Sequence, residues 1–296
     1  MLNLPFEYSE LGLPVTHDLI RRASVSGVQD KVQLKRRRGG FDVVLSSGDY
    51  ILKPIPRHTS AHLTADIPIN EDLTMTIASR LFGIRTAEHD LARFKDGEIA
   101  YLTRRFDFRN GEKIRQEDFC QLSNRTEESA GANYKYESSY EELAELMRRY
   151  CRSAAVDNPK VFEIVLFNYV FSNADAHLKN FSLYESPQGD YVLTPAYDLL
   201  NTALHFPNDL TATGLDFFKD GHFTSRYEDL GFYSSADFIE LARCFGVPES
   251  RVRGLISGYA ARQASVESLV ANSLLSNEAK ADYLRRFRDR LRAIAQ

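Results

Sequence analysis

The sequence predicts an α+β chain of two lobes, β-rich over residues 1–107 and mostly helical over residues 108–296. Three observations carry that expectation. Short runs of alternating apolar and polar residues, punctuated by glycine turns, fill residues 32–106. From residue 116 the composition turns helical, with start and stop signals between the apolar runs. One strongly apolar run, residues 161–171, then gives way to Ser172-Asn173-Ala174-Asp175-Ala176-His177-Leu178-Lys179-Asn180-Phe181. At 296 residues the chain exceeds the usual size of one core.

Each element follows in order. Residues 1–20 read as a lead-in whose Pro5 and Pro14 break any helix. Residues 32–35 alternate as a half-buried strand, Arg36 to Gly40 forms a basic turn, and residues 41–45 return. That tip is predicted to be a solvated hairpin end and the only basic cluster in the chain. A third strand over residues 48–54 ends in Lys53. A lysine on an apolar strand is costly to bury unpaired. It reads either as a phosphate-binding group or as an edge lysine whose head reaches water.

A helix over residues 70–82 carries Leu73, Ile77 and Leu81 on one face and stops at Gly83. Glu71, in its expected first turn, is either the partner of Lys53 or a favourable charge on the helix dipole. Residues 86–94 and 99–106 read as strands around Lys95-Asp96-Gly97. Gln116 opens the helical half, residues 124–140 form a polar loop, and Ser139 with Glu142 makes a capping box for a helix through 152. Pro159 is expected at the start of the long apolar helix. Residues 200–233 look irregular; helices follow over 235–245, over 249–275 with a break, and over 277–294. In the last of these Tyr283, Phe287, Leu291 and Ile294 form a core stripe.

Composition narrows the function. A formal net charge of −4 gives no general pull toward nucleic acid or an anionic membrane. Cys120, Cys151 and Cys244 are few and widely spaced, which fits reduced thiols better than disulfides or a metal site. The first residues lack a secretory pattern, and no run approaches the about 18 apolar residues of a membrane span. A soluble cytoplasmic protein is expected, with no membrane partner.

The chemistry-bearing residues are spaced for phosphoryl transfer. Asp175 and Asn180 have the separation of a protein-kinase catalytic loop, where the Asp orients the attacking hydroxyl and the Asn holds magnesium. Asp198, eighteen residues past Asn180, supplies a second carboxylate beyond a short hairpin. Each piece alone also reads as turn chemistry. Before the first long strand, Ser24-Val25-Ser26-Gly27-Val28-Gln29-Asp30-Lys31 is a small polar loop able to lay N–H groups against phosphates. Its serines are either turn formers or phosphorylation sites whose added charge would pair with Arg21 and Arg22.

Taken in order, Lys53, Glu71, Asp175, Asn180 and Asp198 resemble the HipA family of bacterial serine/threonine kinase toxins. The likeness extends to residues 24–31, Ile51 to Pro54, Asn70-Glu71, Arg105-Phe106-Asp107, Gln116 to Gln121, Tyr136-Glu137, residues 175–181 and Leu193 to Asp198. It implies a bilobal protein-kinase-like (HipA-like) fold with ATP and Mg²⁺ between the lobes. By that resemblance Asp175 is the catalytic base, and Asn180 and Asp198 hold the metal. Ser26, Gly27, Val28, Gln29, Asp30, Lys31, Lys53, His177 and Tyr197 would line the nucleotide, with Arg104, Arg105 and Phe106 as its hinge. The loop starts near residue 24, without the family's additional N-terminal β-domain, and reads Ser-x-Ser; both features are similar to the short HipT kinases of three-component systems.

Those kinases imply an aminoacyl-tRNA synthetase as substrate, tryptophanyl- before glutamyl-tRNA synthetase, with inhibition of translation. They also imply autophosphorylation at Ser24 or Ser26, a HipB-like helix-turn-helix antitoxin, a HipS-like small protein, and DNA only through the antitoxin. The alternatives are a small-molecule kinase of related fold and an inactive pseudokinase serving as a binding module.

Overall fold

The computed structural model describes residues 1–11, 30–57, 59–109, 112–207 and 212–296. Arg21, Arg22, Ser24, Ser26, Gly27, Val28 and Gln29 lie outside the described residues; Asp30 and Lys31 lie within them.

Strands β1 (Leu2–Asn3), β2 (Val32–Arg37), β3 (Gly40–Val44), β4 (Tyr50–Lys53), β5 (His89–Arg93) and β6 (Ile99–Arg104) form a six-stranded sheet in the order β1-β5-β6-β4-β2-β3. Its pairings are antiparallel except β1 with β5, where Leu2 lies opposite Ala92. β1 falls in the stretch expected to be a lead-in, because two residues are too few to leave a periodic signal. Alternation along β4 puts Leu52 into a cluster with Val32, Leu34, Ala100 and Leu102, and turns Lys53 to the opposite face.

On that face lies α1 (Ile67–Phe82). It begins before residue 70 because Pro68, with its preset φ, is suited to a helix start. It ends where Gly83 takes φ 68° and its N–H reaches the Ala78 carbonyl. Leu73, Met75 and Ile77 of α1 share one continuous core with Phe167, Phe171 and Phe287 of the helical half, so this helix fastens the sheet to the second lobe.

The helical half has a small sheet of its own. β7 (Phe108–Arg109) and β8 (Glu112–Lys113) pair antiparallel. Gln116 was expected to open helical structure; instead β9 (Gln116–Asp118) pairs with β10 (Ser182–Glu185), and β11 (Tyr191–Leu193) completes the three strands. Asp118 then caps α2 (Phe119–Leu122), and α3 (Glu127–Ala130) interrupts the predicted polar loop. At α4 (Tyr140–Tyr150) the Ser139 hydroxyl accepts from the Glu142 N–H. Only half of the expected capping box forms, because the Glu142 carboxylate accepts from Arg125 and Ser138 instead.

The central helix α5 (Ala154–Val170) contains Pro159 in its interior and does not begin there. The carbonyl that the proline leaves without a helical partner belongs to exposed Ala155, where water can satisfy it. From Val161 to Val170 nearly every side chain is buried, as a helix packed on all sides requires. The chain ends with α6 (Ser225–Leu230), α7 (Ser235–Cys244), α8 (Glu249–Ala261), α9 (Gln263–Ala271) and α10 (Asn277–Ile294). Tyr283, Phe287, Leu291 and Ile294 of α10 are buried. The same helix corrects the reading of the hairpin tip as the only basic cluster. Arg285, Arg286, Arg288, Arg290 and Arg292 form a second one, with Asp282 and Asp289 paired among them. All three cysteines are free. Among the described residues, no helix is long and apolar enough to cross a membrane.

Candidate active site

Lys53, Glu71 and Asp198 converge between the sheet and the helical half. The Lys53 amine lies 2.6 Å from Glu71 Oε1 and also bonds Asp198 Oδ1. Its strand neighbour Tyr101 offers its ring face 5.3 Å away. Glu71 is the fifth residue of α1, beyond the first turn, so of its two sequence readings the ion pair is the one realised. Burial opposes the charge on Lys53, yet Asp198 and Glu71 outweigh it and raise the amine's pKa. Asp198 shows the same contest in mirror image. Burial pushes its pKa up, but Lys53 and Lys31 hold the carboxyl well below the usual range. For Glu71 burial wins and the pKa rises. Lys31, exposed at the cleft, thus adds positive charge where phosphates would lie.

The loop after α5 is held by neutral bonds. Ser172 takes φ 55° and turns the chain out of the helix. Asn173 donates to Asn168 Oδ1 at 3.0 Å and to the Asp198 carbonyl at 3.2 Å, and its own Oδ1 accepts from the Asp175 N–H. Thr202 accepts from the Ala174 N–H at 2.8 Å. The Asn180 side-chain oxygen accepts from the His177 N–H at 3.1 Å, and its amide group donates to Asp198 Oδ2 at 3.3 Å. Asp175, Asn180 and Asp198, separated in sequence, therefore share one site. His177 is buried with Nε2 at 3.8 Å from Asp175 Oδ1. Burial, against the pull of Asp175, takes its pKa down to about 4, which leaves the ring neutral at pH 7.

The expected hinge residues lie at the end of β6. Arg104 points out and pairs with Glu88. Arg105 makes a two-pronged contact with buried Asp107 and a third bond to Gln33. Phe106 packs 5.6 Å from the Tyr197 ring, beside Tyr184. The Tyr197 hydroxyl bonds Ser182 and donates to the Lys179 carbonyl, so this tyrosine braces the loop from beneath.

Several contributors were not singled out as site residues from sequence. The Tyr136 hydroxyl donates to Asp175 Oδ1. Tyr140 donates to the Ala176 carbonyl at 3.1 Å. A Cβ on Gly214 would meet the Ala176 backbone at 2.5–2.6 Å, so only glycine lets that segment back the loop so closely. Asn70 donates to the Asn201 carbonyl and accepts from its N–H, tying α1 to the segment after Asp198. The Tyr136-Glu137 and Asn70-Glu71 motifs gave a signal for two of these; a lone glycine in an irregular stretch gave none.

Magnesium favours hard oxygen donors, commonly one or two carboxylates completed by phosphate and water. Asp198 with Asn180 fits that chemistry. Asn180 gives its oxygen to the His177 N–H, and both Asp198 oxygens are engaged, Oδ1 by Lys53 and Oδ2 by the Asn180 amide, so a metal here would take the place of these bonds. Among the described residues, no cluster of three His, Cys, Asp or Glu side chains is arranged to hold a metal.

A strand lysine paired to a helix glutamate, facing a loop Asp and a second Asp across a cleft, defines the kinase-like class of α+β folds. Residues 23–267 match the family described as the HipA-like C-terminal domain, and the chain belongs to that family. It is 27% identical over 305 residues to a candidate kinase of Haemophilus influenzae, covering 97% of this chain and 86% of that one. To the serine/threonine-protein kinase toxin HipA of Shewanella oneidensis it is 30% identical over 200 residues, covering 62% of this chain and 44% of that protein. The chain thus spans less than half of that relative. HipA from a Shewanella oneidensis complex with HipB and operator DNA superposes with a TM-score of 0.65 at 25% identity, covering 91% of this chain and 63% of that one. The Helicobacter pylori proinflammatory kinase CtkA shares the fold, with a TM-score of 0.56 at 14% identity, covering 83% and 87%.

Proposed function

We propose that this chain is a kinase that moves the γ-phosphoryl group of ATP to a serine or threonine hydroxyl of a protein. The observation that carries the reading is the convergence of Lys53, Glu71, Asp198, Asn180 and Asp175 on one cleft. Lys53, fixed by Glu71, would hold the nucleotide phosphates, and Lys31 would add charge beside it. Asp175 would orient the acceptor hydroxyl and take up its proton. His177, kept neutral by burial, would leave the charge of Asp175 uncompensated on that side. Asp198 and Asn180 would hold Mg²⁺, which when bound neutralises charge on the phosphates. Phe106 and Tyr197 would present an aromatic wall to the adenine, beside the hinge at Arg104 and Arg105.

The likeness to HipA, and by its Ser-x-Ser loop to HipT, supports a toxin that phosphorylates an aminoacyl-tRNA synthetase, tryptophanyl- before glutamyl-tRNA synthetase. In that reading phosphate on Ser24 or Ser26 limits the enzyme. A HipB-like antitoxin, which would bring in DNA, and a HipS-like protein would be its partners in the cytoplasm.

The test is intact-mass and phosphosite analysis of phosphatase-treated protein after incubation with ATP and Mg²⁺, for wild type and Asp175→Asn. Phosphate on Ser24 or Ser26 in the wild type alone is expected. Candidate synthetases are then offered as acceptors. Identical masses for both chains, with no synthetase modified, would overturn the reading.

A further inference from the structure

We propose that Tyr136 is the gate of the acceptor site: its hydroxyl occupies the place at Asp175 that an incoming substrate hydroxyl must take. The inference rests on the kinase reading of Asp175 and adds a requirement to it, namely displacement of an internal hydroxyl before transfer.

The geometry is direct. The Tyr136 O–H donates to Asp175 Oδ1, the oxygen that also faces His177 Nε2. The phenol ring stands edge-on to the His177 ring at 5.0 Å. Its segment is fastened to the loop by one backbone bond, from the Leu178 N–H to the Lys135 carbonyl at 3.2 Å. The Lys135 amine lies over the Tyr136 ring at 4.8 Å. A phenol and a serine hydroxyl offer a carboxylate the same kind of donor, so the two compete for one oxygen. Tyr136 is half-buried, and it sits between α3 and α4 in a stretch held by short turns, from Tyr136 N–H to the Asn133 carbonyl and from Ser138 N–H to the Tyr136 carbonyl. A side chain so placed can leave Asp175 by local rotation, without moving a helix.

Two consequences follow. Without an acceptor, the phenol keeps water from the candidate base, so ATP is spared. With an acceptor, selectivity favours a hydroxyl on a chain that can displace the phenol and pack where its ring lay, which describes a protein loop better than a small free alcohol.

The experiment uses water as the probe acceptor. In that reaction a water oxygen bonds the γ-phosphorus as the bond to the bridging oxygen of ADP breaks, and the water proton passes through Asp175 to phosphate or solvent. ATP hydrolysis by the full chain is measured for wild type, Tyr136→Phe and Tyr136→Phe with Asp175→Asn, with ATP affinity followed by calorimetry. Tyr136→Phe keeps the ring and is expected to raise hydrolysis on the order of tenfold, the scale of one hydrogen bond to a charged group. ATP affinity stays unchanged, and the double variant is silent. A purely structural role predicts loss, never gain; Tyr136→Leu, expected to move the same way, guards against a peculiarity of one substitution. Turnover by the wild type with no rise in either variant overturns the gate alone. No turnover in any chain, with or without an acceptor protein, overturns the gate together with the kinase reading beneath it.

Discussion

The two sides of the cleft are held by different physics. On the sheet side, the buried amine of Lys53 is fixed by charge, between Glu71 and Asp198. On the loop side, the backbone around Asp175 is fixed by neutral groups: Asn173, Thr202, Asn180, Tyr140 and the bare Cα of Gly214. Charge pairing is strong at short range but can be exchanged for another anion, which suits a group that must trade a carboxylate for phosphates. A neutral scaffold has no such alternative partner, which suits a loop whose one carboxylate must stay aimed.

Breaking the charged side is expected to have the largest effect. Lys53→Ala leaves buried Glu71 without its counter-ion, and loss of one partner of a buried pair costs roughly 3–5 kcal/mol. Urea unfolding should show that loss. The double exchange Lys53→Met with Glu71→Leu removes the unpaired charge at Glu71 but not at Asp198, so it should recover part of that loss while leaving phosphoryl transfer abolished. If the double exchange is no more stable than Lys53→Ala, charge compensation does not hold this side.

The neutral side is broken by volume rather than charge. In Gly214→Ala the new methyl would lie inside contact distance of the Ala176 backbone, and main chain cannot rotate out of the way. Overpacking of this kind costs about 1–3 kcal/mol. Displacing Ala176 also moves its neighbour Asp175, so phosphoryl transfer should fall further than stability does, with ATP binding unaffected. A variant that melts early yet keeps full turnover would show that the loop tolerates the shift.

The sequence showed the charged side better than the neutral one, for a physical reason. Lys53 is an unusual residue type for an apolar strand and asked for an explanation where it stood; Glu71 on a helix and Asp198 after a hairpin are ordinary there and were legible only through their order along the chain. The order of elements and the apolar stripe of α10 were equally legible, because periodicity is local. What stayed hidden was set by pairing across the chain. β9 became a strand through β10, and β1 through β5. Pro159 could sit inside α5 because Ala155 faces solvent, and Gly214 mattered only once Ala176 was known to lie against it. None of these conditions can be read from a residue and its immediate neighbours.

The smallest expected effect joins the two sides, at His205. Its Nε2 lies 2.9 Å from the Asn70 amide nitrogen and its Nδ1 2.9 Å from the His62 carbonyl oxygen. Asn70 cannot turn its oxygen toward the ring, since that oxygen accepts from Thr74 and from the Asn201 N–H. The ring is therefore neutral, with the proton on Nδ1, and a second proton on Nε2 would face a donor. Burial lowers its pKa from 6.5 to about 4. The unfolded chain binds this proton first, so the contribution is fully present above about pH 6.5 and is lost as pH falls toward 4. By pH 5.5 the loss from this one group should reach about 1.4 kcal/mol. His177 titrates in the same window, so the comparison must be made between chains. His205→Gln should flatten the fall in unfolding free energy between pH 7 and 5.5 by about that amount, whatever it does to stability at neutral pH. Parallel pH profiles for the two chains would mean that His205 takes up its proton without opposition from Asn70, and that the bridge between the lobes is looser than its hydrogen bonds imply.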